Sequence, residues 1–212
     1  MISRTDFRGS PHVGIFCIAN DDVALAPLSA PESFLSVIKE TLGVDVVQTS
    51  IANTGLLGIF CVINNKRAIA TGLIDKDERK TLEDHFSDII VVEDSFTAVG
   101  NLVSMNDRAT VCSRGLEASI KDAIPVRVAD SDLVGSALYV NNNGFLAHRD
   151  TPESEIRELE RVFGVKGDVG TVNFGDPFVS SGIMGNKNGI VVGSFSSGPE
   201  MNRIDEIFIL NR

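Results

Sequence analysis

The strongest constraint on the fold is a pattern that the chain repeats five times. A glycine after an apolar or small residue opens a short apolar run, and an asparagine ends it, usually six residues later. The five pairs are Gly14 and Asn20, Gly58 and Asn64, Gly100 and Asn106, Gly135 and Asn141, and in a shortened copy Gly182 and Asn186. The intervals between successive glycines are 44, 42, 35 and 47 residues. This period is typical of propellers and arrays, in which all copies together build the functional surface.

The asparagine begins a turn that joins two apolar runs. The turns are Asn64-Asn65-Lys66-Arg67, Asn106-Asp107-Arg108 and Asn142-Asn143-Gly144, and the runs that follow them cover 68–70, 110–112 and 145–147. Two β-rich runs around a turn of this composition predict a hairpin. The signal is sharpest at Asn143-Gly144 and Asn188-Gly189, where we expect the positive φ that both residue types tolerate.

Each hairpin is followed by a helix signal and, in four copies, by an extended run. The predicted helices cover 33–42, 75–86, 113–124, 151–163 and 199–207, and the extended runs cover 44–47, 89–92, 126–128 and 169–172. The clearest helix places Ile156, Leu159 and Phe163 on one face and ends at Gly164. The last copy ends in the apolar run 207–210, which we predict as a terminal strand that closes a ring against the N-terminal copy.

Length and composition favour one compact domain over 1–212, with copies at roughly 1–43, 44–87, 88–124, 125–164 and 165–212. A chain of 212 residues with 43% hydrophobic content buries about 70% of the surface that it exposes when unfolded. Such a core requires neither disulfides nor a metal ion. We therefore expect an α+β domain without a cofactor.

The charge balance limits the class of partner. Nineteen Lys and Arg residues against 29 Asp and Glu residues give a net charge of −10, and the cations cluster no further than Lys66-Arg67. A large surface that neutralises phosphates is therefore not expected, and basic protein partners are favoured over direct RNA contact. The longest uncharged stretch, 46–65, is too polar to span a bilayer, and residues 1–16 lack the apolar centre of a signal peptide. We expect a cytoplasmic protein that does not bind membranes.

The cysteines and histidines do not form a recognisable reactive pattern. Cys17 and Cys61 each follow their repeat glycine by three residues, so packing at an equivalent strand position explains them better than a reactive thiol does. The third cysteine, Cys112, leaves an odd number, which is not a disulfide framework. The histidines lack the spacing of a metal site. His148 is either a catalytic base or, as we favour, a surface residue of a turn.

Three segments resemble one known family. They are VGNLVSMND at 99–107, VAD at 128–130 leading to LVGS at 133–136, and GTVN at 170–173. They resemble the translation initiation factor six family, the ribosome anti-association factors of archaea and eukaryotes, from about residue 7 to residue 210. The resemblance implies the pentein fold, a five-fold pseudosymmetric α/β propeller of five repeats of about 42 residues. It also implies a monomer that binds the large ribosomal subunit, prevents its association with the small subunit, and acts in ribosome biogenesis and subunit availability.

The same fold implies an alternative function. Guanidine-modifying hydrolases and transferases are similar in fold and use an axial pocket, with a cysteine nucleophile near the C-terminal end, a histidine and carboxylates. Here no cysteine follows Cys112 and no histidine follows His148. The serines of the last copy are not near a candidate base in the sequence. An enzyme of this type is therefore the less favoured hypothesis.

The predicted binding residues are those directly after the repeat glycines. They are Ile15, Ile59, Asn101, Ser136 and Ile183. Because they are apolar or neutral, they suit burial against a partner better than they suit proton transfer. The resemblance implies that this partner is chiefly a large-subunit protein of the L14 type near the sarcin-ricin loop.

Overall fold

The structure is a computed structural model and describes residues 1–210. These residues form fifteen strands in five three-stranded sheets, together with eight α-helices. The strands are β1 Ile2–Thr5, β2 Ile18–Ala19, β3 Val23–Pro27, β4 Asp45–Thr49, β5 Cys61–Ile63, β6 Arg67–Thr71, β7 Asp88–Val92, β8 Val103–Met105, β9 Thr110–Cys112, β10 Ala123–Pro125, β11 Leu138–Val140, β12 Phe145–His148, β13 Gly167–Gly170, β14 Ile183–Gly185 and β15 Ile190–Gly193. The helices are α1 Val13–Phe16, α2 Glu32–Leu42, α3 Leu57–Phe60, α4 Lys76–His85, α5 Val99–Leu102, α6 Val134–Ala137, α7 Glu153–Phe163 and α8 Gly198–Asp205. A 3₁₀ turn spans Val179–Gly182, and a π-helical turn spans Glu206–Leu210.

Four sheets share one plan, in which a hairpin is extended by a parallel strand. Their strand orders are β2-β3-β4, β5-β6-β7, β8-β9-β10 and β11-β12-β13. In the second sheet Cys61 pairs antiparallel with Ala70, and Arg67 pairs parallel with Asp88. We number the copies one to five by their hairpins. The strand before each hairpin thus belongs to the sheet of the preceding copy, which ties neighbouring copies together.

The N-terminal strand completes the fifth sheet. Strand β1 pairs in parallel with β15, from Ile2 opposite Ile190 to Thr5 opposite Gly193, in the strand order β1-β15-β14. The first strand of the chain therefore takes the position that a following copy would fill. This contact joins the fifth copy to the first and closes the ring.

The predicted terminal strand over 207–210 is wrong. These residues continue helix α8 as the π-helical turn Glu206–Leu210, while residues 211–212 lie outside the described part of the chain. The run is apolar because Ile207 and Phe208 are buried in the core beside the fifth sheet. Burial of a helical turn produces the same short apolar run as a buried strand, and β1 already occupies the edge of the sheet.

The short helices meet around the axis of the ring. Helices α1, α3, α5 and α6 and the turn Val179–Gly182 contact one another in cyclic order. We call the end of the ring that carries them the glycine face. The hairpin turns that begin at the repeat asparagines lie at the opposite end, which we call the asparagine face.

The hairpin turns are held by the repeat asparagine and not by positive φ. The Oδ1 atom of Asn64 accepts the backbone N–H groups of Lys66 at 2.9 Å and Arg67 at 2.7 Å. The same arrangement recurs at Asn20, Asn106, Asn141 and Asn186. The expected positive φ at Asn143-Gly144 and Asn188-Gly189 is therefore wrong, since none of these four residues adopts it. A side-chain acceptor at the start of the turn allows ordinary backbone angles.

The asparagines also connect neighbouring copies. The Nδ2 atom of Asn20 donates to the carbonyl of Asn64 at 2.9 Å, and that of Asn64 donates to the carbonyl of Asn106 at 3.0 Å. The Nδ2 atom of Asn186 donates to the carbonyl of Leu42 at 3.0 Å, across the junction of copies five and one. In four of the five copies the repeated asparagine thus bonds both its own turn and the next copy, which explains its recurrence, whereas the buried Nδ2 atom of Asn141 makes no hydrogen bond to the next copy within residues 1–210.

Four of the five predicted helices are present, and the one over 113–124 is wrong. Only ten residues, 113–122, separate β9 from β10, whereas 16 separate β6 from β7. These ten residues form irregular turns in which Leu116 and Ile120 are buried. The chain must return to the start of the sheet within this length, which is too short for a helix with its two connections. The strand that follows is 123–125 and not the predicted run 126–128.

The core is divided among the spaces between sheets. Five clusters of buried side chains lie between neighbouring copies, each built from two sheets and the elements that cover them. The three cysteines are buried in them, which confirms the prediction that they pack as small apolar residues. Within residues 1–210, no helix has both the length and the apolar character needed to cross a bilayer.

Candidate functional site

The repeat glycines allow neighbouring copies to pack backbone against backbone. A Cβ atom on Gly58 would lie 1.9 Å from the carbonyl oxygen of Gly14, and one on Gly100 would lie 2.0 Å from that of Gly58. A Cβ atom on Gly135 would lie 2.1 Å from the carbonyl oxygen of Gly100. Any side chain at these three positions would therefore push two copies apart. The glycine signal in the sequence marks this contact around the axis.

The fifth copy has a serine at the glycine position. Ser180 is equivalent in position to the glycines of the other four copies, because each is the second residue of its short helix or turn. Those glycines are Gly14, Gly58, Gly100 and Gly135. The Oγ atom of Ser180 donates to the carbonyl of Leu138 at 3.0 Å, so the ring accommodates this side chain through a hydrogen bond to copy four. Ser180 precedes Asn186 by six residues, so the fifth copy is not shortened. The predicted register at Gly182 is therefore wrong.

Four of the five predicted site residues come together at the axis. Ile15, Ile59, Asn101 and Ser136 line one open depression of about 280 Å³ on the glycine face. The fifth member is Ser181 and not Ile183, because the register of the last copy differs by two residues. Ile183 is buried in the interior at 1% exposure and is not available to a partner. The depression thus carries isoleucine side chains beside one amide and three serine residues, Ser136, Ser180 and Ser181.

Further exposed apolar side chains surround the depression. Leu133 and Phe178 stand at the rim of the axial depression, each directly before its short helix or turn. Eight of the eleven exposed large apolar side chains within residues 1–210 lie in connections at this face: Leu28, Leu56, Leu73, Phe96, Leu133, Phe174, Phe178 and Phe195. A concentration of exposed apolar side chains at one end of a protein marks an interaction surface.

Three reactive side chains meet at the edge of the depression without forming a catalytic triad. The Oγ atom of Ser181 donates to Oδ2 of Asp176 at 3.2 Å and lies 3.3 Å from Nδ1 of His12. The same Nδ1 atom lies 3.8 Å from Oδ2 of Asp176. In a triad the imidazole bridges the serine and the carboxylate through its two nitrogens. Here the serine bridges the other two groups, so the imidazole does not relay a proton between them.

The remaining candidate nucleophiles and bases are held in structural roles. Burial raises the pKa of Cys61 to about 12 and that of Cys112 to about 11, and it raises the pKa of Cys17 further. The three thiols are therefore neutral at physiological pH, when a nucleophile must be a thiolate. His148 is the last residue of β12 and its side chain is only 14% exposed, so the favoured interpretation as a surface residue of a turn is wrong. Its Nδ1 atom accepts the backbone N–H of Asp150 at 3.2 Å, which is a structural role.

The interior of the ring offers little room for chemistry. A cavity of about 80 Å³ lies on the axis between the two faces and is lined by glycines, by apolar or sulfur-containing side chains and by Ser104, Ser180 and Tyr139. Tyr139 beside it donates its hydroxyl to the carbonyl of Gly185 at 3.0 Å, and burial raises the pKa of that hydroxyl. No group of three His, Cys, Asp or Glu residues suited to a metal ion occurs in the part of the chain that the structure describes.

The sequence reasoning missed Ser181, His12, Asp176 and the exposed aromatic side chains of copy five. Ser181 could have been predicted, because counting six residues back from Asn186 gives Ser180 as the equivalent of the repeat glycine, and Ser181 follows it. The proximity of His12 to Asp176 had no sequence signal, since the two residues are 164 positions apart and meet only because the ring closes.

The closed ring of five hairpin units around a glycine-lined axis defines a pentein-fold protein. A sequence model of the eIF-6 family matches residues 2–207, and the chain belongs to that family. Membership places it among the translation initiation factors, in protein biosynthesis.

Relatives agree with this assignment. The chain is 35% identical over 216 residues to translation initiation factor 6 of Staphylothermus marinus, covering 96% of this chain and 95% of the relative. It is also 35% identical over 220 residues to that of Pyrococcus horikoshii, covering 97% of each. Among solved structures, dimethylarginine dimethylaminohydrolase matches with a TM-score of 0.49 and 10% identity, covering 79% of this chain and 69% of the other.

Proposed function

We propose that this protein binds the large ribosomal subunit through its glycine face and thereby sterically prevents association with the small subunit. Such binding controls the supply of free subunits and acts in their biogenesis. The observation that carries the proposal is the convergence of Ile15, Ile59, Asn101, Ser136 and Ser181 on one open apolar depression. A surface of this kind is suited to burial against a protein partner and provides neutral hydrogen-bonding groups at its centre.

The partner that fits this face is chiefly a ribosomal protein. The net charge of −10 opposes contact with RNA phosphates and favours the basic surfaces of ribosomal proteins. We propose a protein of the L14 type near the sarcin-ricin loop, with little direct RNA contact. The protein acts in the cytoplasm as a monomer, because a second copy on the glycine face would occupy the surface that the ribosome requires.

Binding, and not catalysis, is the proposed activity. An axial hydrolase needs a thiolate or an activated hydroxyl beside a base that relays its proton. The buried thiols are neutral, and the Ser181 hydroxyl is directed at Asp176. The naming of relatives as translation initiation factors supports the same proposal.

Asn101→Lys tests the proposed face. Asn101 is partly exposed in the depression, so a lysine there places an unpaired charge in the interface while the free protein keeps it in water. We expect affinity for purified large subunits to fall at least about 10-fold, because a buried unpaired charge costs several kcal/mol. Affinity is measured by co-sedimentation, and folding by circular dichroism and the melting temperature.

The matched control is Asn202→Lys. Asn202 is exposed on helix α8, at the perimeter of the ring, and receives the same substitution. It should bind like the wild type. If folded Asn101→Lys protein co-sediments as well as Asn202→Lys protein does, the glycine face is not the interface. If neither variant nor the wild type co-sediments, the chain does not bind large subunits.

A further inference from the structure

The copies are not equivalent on the glycine face, because copy five concentrates its exposed aromatic side chains there. Phe174, Phe178 and Phe195 are 86%, 38% and 62% exposed. The position of Phe174, the second residue of a left-handed turn, is occupied by Asn53 in copy two and Asp130 in copy four. An aromatic tip at this turn is thus particular to copy five among these three copies.

The backbone at Phe174 is held by hydrogen bonds, although the side chain is in solvent. Its φ of 66° is unusual for a bulky residue. Glu200 stabilises the turn by accepting the N–H groups of Phe174 at 3.1 Å and Gly175 at 2.9 Å. Ser196 accepts the N–H of Asn173 at 3.1 Å. A backbone held in advance reduces the entropy that is lost when the aromatic side chain is ordered on binding, which is a property of interface anchors.

Asp176 lies in the chain between Phe174 and Phe178. Its Oδ1 atom accepts the N–H of Phe178 at 2.9 Å, and its Oδ2 atom accepts the hydroxyl of Ser181 at 3.2 Å. Both donors are neutral, and a quarter of the side chain is exposed. By contrast, Asp130 and Asp132 on the same face both pair with Arg127. Asp176 is therefore oriented by neutral donors, with the imidazole of His12 at 3.8 Å as the one ionisable side chain beside it within residues 1–210, and its partly exposed carboxylate can be reached by a partner.

We propose that copy five forms the specificity-determining part of the glycine face and receives a lysine or arginine side chain of a basic protein partner. Asp176 pairs with the cation, and Phe174 and Phe178 pack against the apolar stem of that side chain. The site joins an oriented carboxylate to aromatic surface, the combination that long basic side chains require because their stems are apolar and their ends charged. The inference rests on the proposed function, since the partner is presented by the large subunit.

The test compares Asp176→Asn with Asp150→Asn. The first change keeps an acceptor for the N–H of Phe178 and removes the charge. The control removes a charge from copy four, where Asp150 already lies 3.9 Å from Arg149. We expect Asp176→Asn to lower affinity for purified large subunits about 10-fold. Its affinity should also depend less on salt between about 50 and about 300 mM, because one charge pair is lost.

The aromatic contribution is tested by Phe174→Ala and Phe174→Asn against Leu73→Ala. Asn tolerates the left-handed conformation, so the second variant keeps the turn if alanine disturbs it. Leu73 is 55% exposed on the same face in copy two. Both Phe174 variants should lose about 10-fold in affinity with an unchanged salt dependence, and Leu73→Ala, which removes an apolar side chain from the same binding face outside copy five, should lose clearly less, about twofold.

Three results would overturn the inference while leaving the proposed function in place. The first is wild-type affinity in Asp176→Asn, and the second is an equal loss in Leu73→Ala and Phe174→Ala. The third is tighter binding by Asp176→Asn, which would indicate a phosphate and hence RNA opposite copy five. In each case the wild type still co-sediments and Asn101→Lys still weakens binding. Absence of wild-type binding would instead refute the proposed function itself.

Discussion

Replacing Gly58 by alanine should destabilise the ring more than any ordinary surface substitution. The new Cβ would lie 1.9 Å from the carbonyl oxygen of Gly14, whereas ordinary contacts begin at 3.4 Å. Two copies must therefore separate by about 1.5 Å, and the obstacle is backbone, which cannot rotate away as a side chain can. Overpacking typically costs about 1–3 kcal/mol, and this rigid contact belongs at the upper end. For a domain of this size, about 3 kcal/mol lowers the melting temperature by about 6–12 °C.

The assay is thermal unfolding followed by circular dichroism, with Gly198→Ala as the matched control. A Cβ at Gly198 would meet no heavy atom within 4 Å, and the residue opens helix α8. Alanine there should leave the melting temperature unchanged or raise it slightly, because it restricts the unfolded chain. If Gly58→Ala melts within about 2 °C of Gly198→Ala, close backbone contact is not what holds the copies together.

Two further predictions concern the closure of the ring and the turn of copy five. Deleting residues 1–5 removes β1 from the edge of β15 and should lower the melting temperature by more than about 5 °C; a truncated protein that melts like the wild type would refute closure by this strand. Burial favours a raised pKa for Glu200, but hydrogen bonds from Ser197, Thr171 and Gly175 outweigh it and lower the pKa. Because the ionised form stabilises the fold, Glu200→Gln should have a lower free energy of unfolding in urea than the wild type at pH 7. The difference between the two free energies, the stability gap, should narrow below about pH 4. A gap of equal size at both pH values would contradict this role.

Much of the ring could be predicted because its repeat has a direct physical cause. The glycine recurs where backbones touch, and the asparagine recurs where one side chain bonds its own turn and, in four of the five copies, the next copy. Helix α4 was predictable to within a residue at each end, since Asp75 and Glu78 form a capping box at its start. These features are local, or repeated at a fixed interval, and are visible in one sequence.

The errors arose where the ring overrides the local pattern. The run 207–210 is apolar because it is buried, and burial does not distinguish a helical turn from a strand. The segment 113–122 has helical apolar spacing but too few residues to return along the sheet. In the last copy the prediction used the nearest glycine, Gly182, as the repeat position. The six-residue spacing to Asn186 indicates Ser180 instead.

The candidate site was partly predictable for the same reason. Ile15, Ile59, Asn101 and Ser136 follow a repeated position, so one argument located all four. The polar group around Asp176 was not predictable, because His12 reaches it only through the closure of the ring. Exposure of Phe174 likewise depends on a single turn, and the equivalent positions in copies two and four, Asn53 and Asp130, carry no aromatic side chain that a repeat could reveal.

The glycine contacts around the axis fix the number of copies. An open array can gain or lose a unit at either end, because each unit touches only its neighbours. In this ring each short helix or turn packs between two others, and the first strand occupies the place of a sixth unit. If a copy were duplicated, the additional short helix would have no position at the axis. Change is therefore confined to the connections at the perimeter, as in copy three, where a helix is absent within residues 113–122 and the ring still closes.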